Sequence, residues 1–326
     1  MNKQTFIAIL LFASCKVFAH PDARELSSQD LRRCLAASFA AYENPAKLLD
    51  KSPWSSAEPV TCKTFSGHTG GLVGNTHYPE YGIFIAQGRS ITIAFPGTNF
   101  LKINDVFTDT NVVGHNLQNE DYQDGGFQHH IIGGTGSTGV GYCHDGFYKA
   151  YKSCSGDVRQ YIRDYATDTG CSLGNLHITL TGHSLGGALA ILAGADLVNA
   201  LYNRKNSENN IRVVTFAAPR VFNSLAAKRY DDLLVLQRNH LRIEVTQDVI
   251  PTVPALLVVR AHPVRTTAAA VCNFLRRMCR IPDPIFEDEK IHTKATGQVM
   301  HFEKPLGHVA HSLKTYEKTL KNKELI

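Results

Sequence analysis

The stretch LHITLTGHSLGGALAIL, residues 176–192, constrains the fold of this chain more than any other. It runs from a β-branched apolar segment, through one serine, into an alanine- and glycine-rich apolar tail. The period of the apolar residues changes at Ser184, so a strand must hand over to a helix there within a residue or two. Gly182 and Gly186 flank the serine at two residues on either side, as a GxSxG elbow requires. On so tight a turn, side chains at the flanking positions would collide with strand and helix, and glycine removes them. Gly187, Ala188, Ala190, Ala193 and Gly194 then allow the following helix to lie close on a sheet.

The other strand-like runs extend this pattern. YGIFIAQGRSITIAF reads as a hairpin turning at Gln87-Gly88-Arg89, and IRVVTFAAP and HLRIEVTQ are short β-rich runs, the second more polar. Near-continuous β-branched runs suit strands of a mainly parallel sheet, covered on both faces. Helical segments stand between most of them. SSQDLRRCLAASFAAYENP should be a helix ending before Pro45, and DGFYKAYKSCSGDVRQYIRDYATDTG a helix with a potential break at Gly156. The alternation predicts an α/β fold with helices on both sides of the sheet. Residues 125–141 hold seven glycines and no period, which reads as a long surface loop. Residues 255–295 read as an insertion within the same domain.

Residues 1–19, MNKQTFIAILLFASCKVFA, have a cationic start, a short apolar core and small residues before His20, which reads as a secretory signal peptide. A lipoprotein signal with Cys15 lipidated is the rival reading, and Phe12 at the start of that box disfavours it. Residues 20–326 then form one domain, secreted or periplasmic. No later run is long and apolar enough to span a bilayer. The net charge of +5 is too small to imply nucleic acid as a partner. Beyond the signal lie Cys34, Cys62, Cys143, Cys154, Cys171, Cys272 and Cys279, an odd set. Export permits disulfides, and Cys154/Cys171 and Cys272/Cys279 are the first pairs to consider.

A serine hydroxyl needs a base, and the base needs an orienting carboxylate. In this fold the order along the chain is serine, acid, histidine. Asp248 follows the HLRIEV run, with Pro251 and Pro254 fixing the loop behind it. His308 and His311 lie three apart before a helical segment, and spacing does not choose between them; His301 is also close. An oxyanion would be held by the backbone N–H of Leu185 and by one from the turn after ITIAF, at Thr98. A competing metal reading would use His129, His130, Cys143 and His144, but their spacing fits no familiar ligand set.

Seven stretches, in order, resemble the class 3, fungal-type lipase family of α/β-hydrolases: ITIAFPGTN, DVFTDTNV, CHDGFYKAY, LTGHSLGGALA, VTFAAPRVFN, DVIPTVP and HSLKTY. The resemblance spans residues 91–316. It implies the α/β-hydrolase fold, Ser184 as nucleophile, Asp248 as acid, and His311 as base, because His311 leads a stretch ending in Tyr316. It also implies Thr98 at the oxyanion position, a structural His183, and Asp109 as an acid beside a lid. Pro96 stands where the family usually has arginine. The family commonly has a mobile lid just after the oxyanion strand, and NFLKINDVF, where Phe100, Leu101, Ile103, Val106 and Phe107 give an apolar face, reads equally as such a lid opening at a lipid surface or as a plain helix packed on the core.

The function implied is a secreted lipase or esterase with no cofactor and no metal, acting on lipid esters at a lipid–water interface, with transient contact to a membrane surface. Phospholipase A activity and acyl transfer use the same chemistry. A lipid-binding protein without catalysis is the alternative of a different class, disfavoured by the intact Ser–Asp–His order.

Overall fold

In the computed structural model, the described residues are 26–42, 53–54, 58–68, 77–97, 114–116, 142–201, 210–233, 239–248, 250–252, 298–305 and 309–326. Residues 1–19, the 125–141 and 255–295 segments, Phe100 to Asp109, Thr98, His308, Cys272 and Cys279 all lie outside them.

The first helix, α1 (Ser28–Ala40), starts where Ser27 accepts from the Asp30 N–H while the Asp30 carboxylate accepts from the Ser27 N–H. This reciprocal cap satisfies two of the donors that a helix start leaves open. Three strands follow: β1 (Thr61–His68), β2 (His77–Gln87) and β3 (Ser90–Phe95). The β2–β3 hairpin turns at the expected place, with Gly88 at φ 56°, a conformation glycine adopts at no steric cost. A two-stranded ribbon, β4 (Gly114–Asn116) with β5 (Tyr142–His144), precedes α2 (Asp145–Asp168). The chain then alternates through β6 (His177–His183), α3 (Leu185–Leu201), β7 (Ile211–Phe216), α4 (Ser224–Leu233), β8 (His240–Val245), β9 (Gln298–Phe302) and α5 (Leu313–Asn322).

Seven strands form one sheet in the order β1-β2-β3-β6-β7-β8-β9. The pairs from β3 through β9 are parallel, and β1 and β2 add antiparallel at one edge. This is the α/β arrangement the strand pattern predicts. One face carries α2, α3 and α4, where Phe147, Tyr151, Leu189 and Tyr230 pack on Ile91, Ile93, Leu180 and Val213. The other carries α1 and α5, where Leu31, Leu35, Tyr316 and Leu320 pack on Val214, Phe216, Ile243 and Val245. Each such side chain contributes about 1.5–3 kcal/mol by leaving water. Helix α3 is apolar on nearly every side because it lies between the sheet and α2.

Two expectations need correction. Gly156 does not interrupt α2, which runs unbroken over 24 residues. Cys154 and Cys171 are not bonded; both are free thiols. Helix geometry explains this, since Cys154 sits mid-helix and Cys171 beyond the helix end. The fourteen helical steps from Cys154 to Asp168 span about 21 Å, whereas a disulfide needs Cα atoms about 4.4–6.8 Å apart. Burial pushes the Cys154 thiol up, so it stays protonated. Cys34 and Cys62 are also free, with Cys34 pushed up to about 12 by burial first and by the nearby Asp30 second.

A paired prediction concerns two glycines. A Cβ on Gly186 would run into the backbone of Phe95 and Pro96, while one on Gly156 would meet nothing within 4 Å. Gly186→Ala should lower stability by about 1–3 kcal/mol through overpacking. Gly156→Ala should raise it by about 0.5–1 kcal/mol, because mid-helix glycine loses more entropy on folding. Urea midpoints at constant m-value check both signs.

Candidate active site

Parallel strands place their carboxyl ends on one edge of the sheet, and two of those ends, of β6 and β8, lead directly into residues singled out in the sequence. β6 ends at His183, and Ser184 follows with φ 59°, left-handed for a residue that is not glycine. Such backbone costs roughly 1–3 kcal/mol and persists only when the surroundings fix it. Here the Ser184 N–H donates to the Phe216 carbonyl at 3.0 Å, and the Ser184 carbonyl accepts from Gly187 at 3.0 Å and Ala188 at 3.3 Å. A side chain on Gly182 would collide with the Gly186 backbone, which is why strand and helix can fold back so closely. The turn lifts the serine Oγ away from both elements.

β8 ends at Val245, and a turn through Gln247 at φ 67° brings Asp248 to the same edge. The Asp248 N–H closes this turn on the Val245 carbonyl at 3.1 Å, and Asp248 Oδ1 accepts from the Ile250 N–H at 3.0 Å. His311 comes from the segment just before α5. Its Nε2 lies 2.9 Å from Ser184 Oγ, and its Nδ1 lies 3.0 and 2.9 Å from the two Asp248 oxygens. An ionised carboxylate only accepts, so Nδ1 carries the ring proton and donates. Nε2 is thereby left as acceptor for the Ser184 hydroxyl. Ser184, Asp248 and His311 are 1%, 7% and 6% exposed, so the relay is screened little by water.

Of the histidines that spacing left open, His308 lies outside the described residues, and geometry separates the other two. His311 meets both partners, and His301 is 65% exposed with its Nε2 3.5 Å from Glu244. Leu185, expected as the first oxyanion donor, is the first residue of α3, and its amide belongs to the first helical turn, where N–H groups have no intrahelical acceptor. The positive end of α3 therefore faces the ground beside Ser184 Oγ. Thr98, the expected second donor, lies outside the described residues; Gly97 before it sits against the Tyr42 hydroxyl and the His183 carbonyl.

His183 packs beneath the relay. Its ring centroid is 4.7 Å from that of His311, and its Nδ1 is 2.8 Å from the Tyr42 hydroxyl. Burial first, and the adjacent His311 second, hold His183 well below the usual histidine range, so it is neutral and adds no charge beside the His311 ring. His144, from the metal reading, accepts the Phe147 N–H on Nδ1 at 3.4 Å and caps α2. Its companions His129 and His130 lie outside the described residues, among which no group of three metal-ligating side chains occurs.

The sequence marked Tyr316 only as a signpost for His311; the structure gives it contacts of its own. Its buried hydroxyl donates to Asp248 Oδ2 at 2.7 Å and accepts from the Val245 N–H at 3.3 Å. Burial foremost, and then the Asp248 charge, push the phenol well above its ordinary range, so it remains a donor. That bond draws negative charge from the carboxylate that faces His311. Tyr316→Phe leaves the carboxylate a stronger partner for an imidazolium. The acid limb of a kcat/KM–pH profile should then move up, with kcat lowered a few-fold. A limb that stays in place, or moves down, would contradict the assigned contact.

This arrangement has relatives. Residues 92–258, about half of the chain, match the sequence profile described as lipase (class 3). The chain is 32% identical over 123 residues to the chloroplastic phospholipase A1-Igamma2 of Arabidopsis thaliana, covering 37% of this chain and 22% of that protein. It is 28% identical over 117 residues to the secreted mono- and diacylglycerol lipase A of Penicillium cyclopium, covering 36% of this chain and 34% of that one. The chain therefore spans no more than about a third of the length of either relative. A solved Rhizomucor miehei lipase–propeptide complex superposes with a TM-score of 0.49 at 19% identity, covering 71% of this chain and 63% of that one. On the profile match over half its length, the chain belongs to the class 3 lipase family.

Proposed function

We propose that this chain is a serine hydrolase that cleaves carboxylic esters of lipids. The observation that carries the reading is the unbroken path from Ser184 Oγ through His311 to Asp248, with contacts of 2.9 to 3.0 Å. Ser184 Oγ attacks the ester carbonyl while His311 Nε2 takes its proton. Asp248 stabilises the imidazolium and keeps it oriented. The amides of Leu185 and Thr98 hold the oxyanion; each such donor is worth about 3–4 kcal/mol in the transition state. Collapse transfers the proton to the departing alcohol and leaves an acyl group on Ser184. Water, activated by the same imidazole, then releases the fatty acid.

The lipid character of the ester rests on family membership and on the relatives, one named as a phospholipase A1 and one as a mono- and diacylglycerol lipase. Both names describe enzymes of lipid esters, and the lipid ester is the part they share. We place the reaction at a lipid–water interface, outside the cytoplasm, after removal of residues 1–19.

The test uses a fluorophosphonate probe and three substrates: emulsified diacylglycerol, phosphatidylcholine vesicles and a soluble short-chain p-nitrophenyl ester. The expected result is one label per chain on the peptide bearing Ser184, loss of all hydrolysis on labelling, and fatty acid release from at least one of the two lipids. A chain that stays unlabelled, or that cleaves only the soluble ester, overturns the reading.

A further inference from the structure

Strand β8 alternates apolar Leu241, Ile243 and Val245 with His240, Arg242 and Glu244. An alternating strand normally shows its polar face to water, yet here that face is buried: Arg242 is 0% exposed. A fully buried guanidinium loses several kcal/mol of hydration and persists only when its donors are used. They are used here. Nε donates to Glu244 Oε1 at 2.5 Å, Nη1 to the Pro219 carbonyl at 3.4 Å, and Nη2 to the carbonyls of Pro251, at 3.1 Å, and of Ala218.

The carbonyl acceptors belong to two different loops at the catalytic edge. Pro251 is three residues beyond Asp248, in the loop that carries the acid. Ala218 follows Ala217, at φ 53°, just after β7. On its other side Ala218 packs so tightly on the elbow helix that a Cβ on Gly187 would come within 2.6 Å of the Ala218 Cβ. Phe216, two residues earlier, holds the Ser184 N–H. One planar fork therefore joins the segment that fixes the nucleophile to the segment that fixes the acid. Glu244 neutralises it, so what reaches the site is geometry, with little net charge.

We infer that Arg242 is a positioning residue whose guanidinium sets the separation between the Ser184 elbow and the Asp248 loop, and hence the span that His311 must bridge. The inference rests on the serine-hydrolase reading above. Lysine at this site supplies a cation on a flexible stem but no rigid fork, so it cannot bridge both loops at once.

The experiment compares Arg242→Lys and Arg242→Met with the wild type on a soluble p-nitrophenyl ester, with active sites counted by fluorophosphonate titration. Both variants should lose on the order of tenfold to a hundredfold in kcat per titrated site, as expected for a misplacement near 1 Å. KM should stay within about twofold, because the fork touches no substrate. The acid limb of kcat/KM should move to lower pH, since a displaced Asp248 stabilises the imidazolium less. A role confined to stability would lower the melting temperature and the titrated fraction while leaving kcat per site and the limb unchanged, and that result overturns the inference. If neither variant accumulates folded, Glu244→Gln serves, loosening one anchor of the fork. It should lower kcat per site about two- to fivefold with the same limb shift, and an unaltered Glu244→Gln overturns the inference equally. Ser184→Ala, assayed alongside, separates the two failures: continued hydrolysis there defeats the hydrolase reading itself, whereas an inactive Ser184→Ala beside wild-type-like Arg242 variants defeats this inference alone.

Discussion

Ser184→Ala should abolish covalent labelling and lower kcat by about 10⁵–10⁶-fold, equivalent to about 7–8 kcal/mol in the activation barrier. The size follows from the contacts. With Oγ gone, His311 Nε2 loses the hydrogen bond at 2.9 Å and has no hydroxyl to deprotonate. Asp248 and His311 then orient a base with nothing to act upon. About 10³-fold of rate over water should survive, supplied by oxyanion donors and substrate binding alone. Stability should change little or rise, because Ser184 holds left-handed backbone at φ 59° through main-chain bonds that alanine keeps. Steady-state assay of the alanine variant, with thermal melting in parallel, checks both parts. A variant retaining about a hundredth of the wild-type kcat would show that another group attacks the ester.

Much of this site is legible in the residues because the chemistry and the fold place the same demand on the same positions. The elbow needs glycine at 182 and 186 for steric reasons, and the Gly186 and Phe95 backbones that those glycines face are present in the structure. Strands β6 and β7 are legible because burial on both faces selects β-branched residues. Asp248 could be placed from its strand. The choice between His308 and His311 could not be made from spacing, since it depends on where the segment before α5 meets the sheet edge, a contact 127 residues from Ser184.

What was not legible is mainly the polar packing behind the site. The sequence marks HLRIEVTQ only as a more polar run, because local pattern carries no information on what the His240–Arg242–Glu244 side of the strand meets. Here α4 and two catalytic-edge loops cover it, and Tyr230 and Thr215 lie within 3.5 Å of the buried His240 ring. The available signal was an arginine on a strand whose intervening residues, Leu241, Ile243 and Val245, are all apolar. Cysteine counting failed for a related reason, because Cys154 and Cys171 are near in sequence but α2 holds them far apart.

Asp248→Asn should leave the fold intact and lower kcat by about 10⁴-fold, with KM within a few-fold of wild type. Everything that reaches the carboxylate is a donor: the Ile250 N–H on Oδ1, the Tyr316 hydroxyl on Oδ2, and His311 Nδ1 between them. An amide offers one acceptor oxygen where the carboxylate offered two. Ile250 cannot become an acceptor, so the asparagine oxygen stays on its side and the NH₂ turns toward Tyr316 and His311. Tyr316 can adapt by rotating its hydroxyl, but His311 adapts only by becoming an acceptor at Nδ1. The ring proton then moves to Nε2, which faces Ser184 Oγ as a donor and can no longer take the serine proton. The loss, about 5 kcal/mol in barrier, would therefore come from the wrong tautomer, with the atoms still in place. The fluorophosphonate should still label Ser184, slowly, in proportion to kcat/KM. An asparagine variant within about tenfold of wild type would mean that the carboxylate charge and tautomer control assigned to Asp248 are not what activates Ser184.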